Sequence, residues 1–526
     1  MLIRRKSPRT LKLNEPIRHD SPHKRPVTRR DFLSQSLLTG TATVVGPTIA
    51  GLLAANPALA LDGDITALLS PCGVVPGANK IPFIAFDLSG GGNLVGSEAL
   101  VGTAGKQSNF LSVAGYGLQG LPPSMVPNGN ATANFVDASL GLLWHSDGAI
   151  LRGIKTRAAA ATQAGVNGAT IPAVSQNDTS TNPHNPMYGI AMAGANGQLL
   201  RLIGTSATMS GGNSGVPADE MIAAWTPSVI TSGTSSAGLV NTGLLTQLLQ
   251  PADAVSVLES MYRISNMKMG VVNTNLPTDT TVKQAASCNY VKTAALAEQF
   301  PNSSVLNPDV DPVIVDQSGS RGSGIFAQAE YQQSGDFQKT AAVMKLVVNG
   351  FAGAGTIQMG GFDYHGQGRA TGELRNFNAG VCIGACLEYA ARVKRPLMIY
   401  VFTDGGINAN STVDSTVDGR GKFMWQGDNG SVTAPFFLVY NPNGRTTAIM
   451  NQIGSMTQDG NIDTTSSPAA NSVNLLVQTV ILNYMALHGE AGNFATALQS
   501  NGATPGLFPA QYDSLIAFPA IVNGTV

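Results

Sequence analysis

The chain has 526 residues, with 31 Lys and Arg against 32 Asp and Glu, 12% charged and 43% hydrophobic residues, and 60 glycines. Apolar content on this scale excludes intrinsic disorder and is ample for a large core. A net charge of −1 lacks the basic excess that tracking a nucleic-acid backbone needs, so nucleic acid is excluded as a partner.

At the amino end, Thr28-Arg29-Arg30-Asp31-Phe32-Leu33 precedes an apolar run from Leu37 to Leu59. This reads as a twin-arginine export signal with Ala58-Leu59-Ala60 as its small-residue cleavage site. Gly40, Gly46, Pro47 and Gly51 interrupt the run, which argues against a lasting membrane anchor. The expectation is a leader over 1–60, removed after a folded chain has passed the twin-arginine translocase, with no stable membrane span left. The site of action is then periplasmic or extracellular, in a bacterium. The leader holds ten bases against three acids, so the remaining 466 residues carry 21 bases and 29 acids, a net −8. No long linker divides 61–526, which is read as a single α/β domain with insertions.

The run 81–87, Ile-Pro-Phe-Ile-Ala-Phe-Asp, has the continuous apolar character of a buried parallel strand and meets a glycine turn at Ser89-Gly90-Gly91-Gly92-Asn93. Apolar residues at helical spacing predict sheet-covering helices over 237–268, 286–299 and 338–348. Thr356 to Met359 leads into Gly360-Gly361-Phe362-Asp363-Tyr364-His365, a helix follows over 373–394, and 396–403 is a second buried strand ending at Asp404. Strand, helix, strand in this order predicts a right-handed crossover and a mostly parallel sheet. A further strand over 434–440 and a closing helix over 472–488 complete the pattern, while 120–135, 205–236 and 405–432 read as polar surface loops.

Cys382 and Cys386 stand one helical turn apart and read as buried thiols, since a disulfide within a regular helix strains its geometry. Cys72 and Cys288 are available to pair in an oxidising compartment. Leu69-Ser70-Pro71-Cys72 has the outline of a lipid-attachment box, but the proline argues against its processing.

Asp87, Asp363 and Asp404 each stand just beyond an apolar strand. Ligands of an open parallel sheet bind outside the carboxyl ends of its strands. Three carboxylates brought together there repel one another unless a cation sits between them, and His365 adds an imidazole to the same place. The inferred centre is a divalent metal, Zn, Mg, Mn or Ca. The competing reading has each Asp capping a helix or bonding loop amides. His184, in Asn182-Pro183-His184-Asn185-Pro186, is stiffened by two prolines and suits a ligand or acid-base position, or a ring bonding loop carbonyls. His145 and His488 read as packing or capping residues, and Asp459 to Asp463 as a turn. There is no Gly-x-Ser-x-Gly elbow, no phosphate loop, no His-Glu-x-x-His and no Gly-x-Gly-x-x-Gly after the first strand.

The motifs Phe83 to Asn93, Gly361 to His365 and Val401-Phe402-Thr403-Asp404-Gly405-Gly406, behind a twin-arginine leader, resemble the secreted sulfatase-like proteins of unknown function, distant relatives of the alkaline phosphatase and sulfatase superfamily. The resemblance spans 81 to about 495. It implies a three-layer α/β/α sandwich with a mostly parallel, alkaline-phosphatase-like sheet, one or two metals, and attack on phosphorus or sulfur by a Ser, Thr or modified Cys. Matched by motif, Asp87, Asp363, His365 and Asp404 fall on metal-ligand positions. The family's Ser-His-Phe loop corresponds to Pro183-His184-Asn185, which lacks the hydroxyl, leaving Thr181, Ser180 or Ser89 as stand-ins. Its Asp-His-Gly corresponds to Asp428-Asn429-Gly430, with Asn in place of a ligand His. No Cys-x-Pro-x-Arg motif is present. Two functions follow as expectations: metal-dependent hydrolysis of a small phosphate or sulfate ester, or a non-catalytic protein on the same fold that binds or assembles an envelope component.

Overall fold

The computed structural model describes residues 61–69, 71–72, 80–127, 134–174, 183–206, 226–240, 249, 251–273, 278–300, 303–318, 321–366, 368–428 and 432–526. The leader, Ser180, Thr181, Asn429 and Gly430 lie outside the described residues, as does the side chain of Asp428.

Among the described residues, seven strands make the central sheet: β1 (Phe83–Leu88), β2 (Val166–Thr170), β3 (Leu200–Gly204), β4 (Ser228–Val229), β5 (Ala352–Met359), β6 (Leu397–Phe402) and β7 (Phe436–Tyr440). Their spatial order is β2-β7-β6-β1-β5-β3-β4. β1 lies at the centre, parallel to both β5 and β6, and β5, β3 and β4 continue in parallel. β7 alone runs against its neighbours β6 and β2. All six residues of β1 and all six of β6 are buried, as expected of strands covered on both faces.

The named helices are α1 (Gly63–Leu69), α2 (Ala149–Arg157), α3 (Met187–Met192), α4 (Pro251–Gly270), α5 (Asp279–Gln299), α6 (Gly335–Val348), α7 (Arg369–Arg392) and α8 (Val473–Leu487). Side chains of a strand alternate between faces, and the core divides accordingly. Ile84 and Phe86 of β1 and Ile399 and Val401 of β6 pack with Ile150 of α2, Val343 of α6 and Ile383 of α7. Phe83, Ala85, Tyr400 and Phe402 pack on the other face with Ile190 of α3 and Val480 and Ile481 of α8. The result is a mixed α/β fold with helices on both faces of a mostly parallel sheet. Where α2 crosses α7, a Cβ on Gly380 would stand 2.2 Å from the Ile150 carbonyl oxygen, so only glycine lets the backbones approach this closely. Among the described residues no helix is long and apolar enough to cross a membrane.

The expected strands and helices at 81–87, 338–348, 373–394, 396–403, 434–440 and 472–488 are present with ends shifted by a few residues. The segment 405–432 differs from expectation: it is an antiparallel ribbon, Ile407–Val413 against Phe423–Asp428. Buried Ile407, Ala409 and Trp425 give it an inner face. Within 205–236, Ser228–Val229 joins the sheet as β4 and Gly233–Ala237 is a capped helical turn. Cys72 and Cys288 form a disulfide with Cα atoms 5.1 Å apart, which fastens the segment after α1 to α5 and closes the lipid-attachment reading of Cys72. Cys382 and Cys386 are buried free thiols on α7, and burial pushes both well up from the ordinary thiol range.

Candidate functional site at the carboxyl edge of the sheet

β6, β1 and β5 are adjacent and parallel, so their carboxyl ends open on one edge, and Asp87, Asp363 and Asp404 all belong to that edge. Asp87 is the fifth residue of β1, in register with Phe402 of β6 and Gln358 of β5. It is 1% exposed, and its phase in the strand is that of Phe83 and Ala85, the face covered by α3 and α8. Asp404, 9% exposed, follows β6 by two residues.

The loop after β1 binds these strand ends together. Gly90 N–H donates to Asp404 Oδ1 at 3.0 Å and Gly92 N–H to the Thr403 hydroxyl at 3.0 Å. On the other side, Ser89 accepts from the Gln358 amide at 2.9 Å and its carbonyl accepts from Phe362 N–H at 3.2 Å. Gly90 has φ +119°, and a Cβ there would lie 2.5 Å from Asp363 N. A backbone amide therefore accounts for part of what Asp404 does, as the loop-amide reading anticipated.

His184 lies over the same edge. Its ring stacks on Phe402 with centroids 6.3 Å apart and planes 18° apart, and burial pushes its pKa down to about 4. The neighbouring Asn185 amide donates to Thr356 Oγ1 of β5 at 3.0 Å. The proline-stiffened loop thus crosses from β6 to β5 above the end of β1, and it enters α3 through Met187 N–H bonded to Asn185 Oδ1.

Asp363 and His365 stand differently. His365 Nε2 and Asp363 Oδ1 are 2.5 Å apart, and the two side chains are 38% and 59% exposed, on the outer side of the edge. Backbone register sets Asp428 opposite Ile407, close along the chain to Asp404. Among the described residues no three of His, Cys, Asp and Glu come together closely enough to hold a metal ion. The motif positions share an edge, but the described donors do not fit a common cation.

Residues not singled out from the sequence complete the edge. The Tyr364 hydroxyl accepts from Asn93 N–H at 2.8 Å and donates to Asn376 Oδ1 at 3.2 Å. Thr403, Tyr364 and Asn93 all lie inside the motifs quoted above, next to or near their acids and glycines. Asn376 lies mid-helix with no local signal. His145 stacks on Phe135 and His488 caps α8 while accepting from Ile81 N–H at 2.9 Å, the packing and capping roles expected of them.

No protein-family model matches the chain, and no curated protein matches it.

Proposed function

We propose that this chain is an exported protein of the sulfatase-like kind that binds or assembles an envelope component at the carboxyl edge of its sheet, without ester turnover. The observation that carries this reading is the division of the motif acids. Asp87 and Asp404 are buried at the ends of neighbouring strands, while Asp363 and His365 pair with each other on the outside. The position that would offer a nucleophilic hydroxyl is Pro183, and a His184 ring with a pKa near 4 stays neutral at ordinary pH. An acidic edge of this kind favours hydroxyl-rich or cationic groups over bare phosphate or sulfate. Seven mostly parallel strands with helices on both faces support the finer reading as an alkaline-phosphatase-like α/β/α sandwich. The twin-arginine leader supports export, as does a disulfide that needs an oxidising compartment.

A second reading, metal-dependent hydrolysis of a phosphate or sulfate ester, is favoured by one observation. Three motif segments far apart in sequence reach the ends of three adjacent parallel strands, where catalytic sites of such sheets lie. The test is metal analysis of the purified exported protein followed by a phosphate- and sulfate-ester screen, with Asp87→Asn and Asp404→Asn as controls. Turnover no greater than that of the two variants is expected. Stoichiometric metal together with turnover that both variants abolish would overturn the binding reading and establish the hydrolase.

A further inference from the structure

Behind the carboxyl edge lies a buried charged cluster that the sequence motifs did not mark. Glu373 of α7 is its hub: Oε1 accepts from Arg369 Nε and Nη2 at 3.1 and 2.9 Å and from Lys422 Nζ at 2.7 Å, and Oε2 accepts from Arg152 Nη2 at 2.6 Å. Lys422, fully buried, comes from the ribbon and also donates to the Asp147 carbonyl at 2.9 Å. Glu373 is therefore well supplied with cations.

Glu98, fully buried beside it, is held differently. Its Oε2 accepts from Ile150 N–H at 2.8 Å, in the first turn of α2, and its Oε1 accepts from the Asn376 amide at 2.8 Å. Both partners are neutral donors. The same Asn376 amide also donates to the Asn93 carbonyl at 3.1 Å, and Asn376 Oδ1 accepts from Tyr364, which in turn accepts from Asn93 N–H. A continuous chain of hydrogen bonds thus runs from the buried carboxylate to the loop 89–93 that clasps Asp404 and Thr403.

We propose that Glu98 is a proton-operated tether of that loop: ionised, it anchors Asn376 and through it Asn93, and protonated, it releases them. The geometry supplies the reason. Each Glu98 oxygen accepts from an N–H, and the oxygen that takes a proton becomes a weaker acceptor, so protonation loosens the hold on Asn376 and Ile150. The surrounding charges oppose one another: Glu373 favours proton uptake, Lys422 disfavours it, and Arg369, Arg152 and Asp147 stand at the next remove, with His145 packed alongside as a neutral ring. Burial first, then the Glu373 carboxylate, pushes Glu98 up to about 7, which puts the transition in the range a bacterial envelope meets. The inference concerns the loop and stands whether the edge binds or hydrolyses.

Amide hydrogen exchange of the full chain at pH 5.5 and pH 8, with rates divided by the intrinsic rate at each pH, tests it. Segment 89–98, measured relative to β6 of the same sample, is expected to be protected at least five-fold more at pH 8. Glu98→Gln, which carries a fixed donor where the acid gains its proton, should hold the segment at the low-pH level at both values. Asn376→Leu, which removes both routes from Glu98 to Asn93, should do the same with Glu98 intact. Equal protection of the wild-type segment at both pH values, or a pH difference that survives either substitution, overturns the proposal.

Discussion

Gly90 shows how much of the carboxyl edge depends on one missing side chain. Its φ of +119° is a conformation L residues rarely adopt, and the place where a Cβ would sit is already taken by Asp363, with the amide nitrogen 2.5 Å and the Cβ 2.7 Å away. Backbone cannot yield as a flexible side chain can. Gly90→Ala is therefore expected to destabilise the protein by about 2–4 kcal/mol, combining the strained backbone with the displaced loop, as read from urea denaturation. A loss below about 0.5 kcal/mol would show that the loop relaxes freely. The run Ser89 to Asn93 was legible as a turn, and Asp87 and Asp404 as strand-end acids, because both follow from local sequence. What was not legible is which way each acid turns. Asp363 follows its strand as Asp404 does, yet Asp363 points outward to His365 while Asp404 accepts from Gly90. Asp404 owes its direction to an amide 314 residues away, while Asp363 meets a ring two residues on.

At the scale of elements, continuous apolar strands and long periodic helices were readable, and short or glycine-bearing ones were not. β2, Val-Asn-Gly-Ala-Thr, holds too few apolar residues to stand out, and it is defined by pairing along β7 from Val166 opposite Tyr440 to Thr170 opposite Phe436. The ribbon after Asp404 has a weak sequence signal because three separated residues, Ile407, Ala409 and Trp425, carry its buried face, and Lys422 between its strands is held by Glu373 of α7. The disulfide is the other long-range device. It links residues 216 apart in sequence, so its absence leaves the unfolded chain far freer. Cys72→Ser with Cys288→Ser is expected to cost about 2–5 kcal/mol. The loss should appear as a lower thermal midpoint that matches wild type treated with reductant. An unchanged midpoint in both would show that packing of α1 on α5 is sufficient.

Over the whole molecule, stability against pH follows from groups that titrate differently folded and unfolded. Burial pushes His145, His184 and His488 each down to about 4, below the 6.5 of the unfolded chain. Below pH 6.5 the unfolded chain takes up protons that the folded one refuses, so this stability is complete above 6.5 and is lost as pH falls toward 4. Glu98 acts in the opposite sense: raised from 4.5 to about 7, its contribution is complete below 4.5 and is lost as pH rises through 7. Between 4.5 and 6.5 three histidines outweigh one glutamate. Unfolding free energy from urea titrations should therefore rise from pH 4.5 to about 6.5 and dip slightly beyond. Glu98→Gln should remove the dip and steepen the acid limb, and a flat profile in the wild type would contradict the assignment of buried neutral rings.

The cross-link between Cys72 and Cys288 also decides how the molecule carries load. Leu61 and Asp62 rest on α4, where Asp62 N–H meets Glu259 at 2.8 Å, and ten residues on the covalent bond reaches α5. Tension applied through the amino-terminal side of the folded body crosses at that bond to α5, so the covalent path skips the chain between the two cysteines. Whatever tugs there handles the protein by a stout grip, and β1 to β4, which lie inside the closed loop, are spared the covalent line of pull.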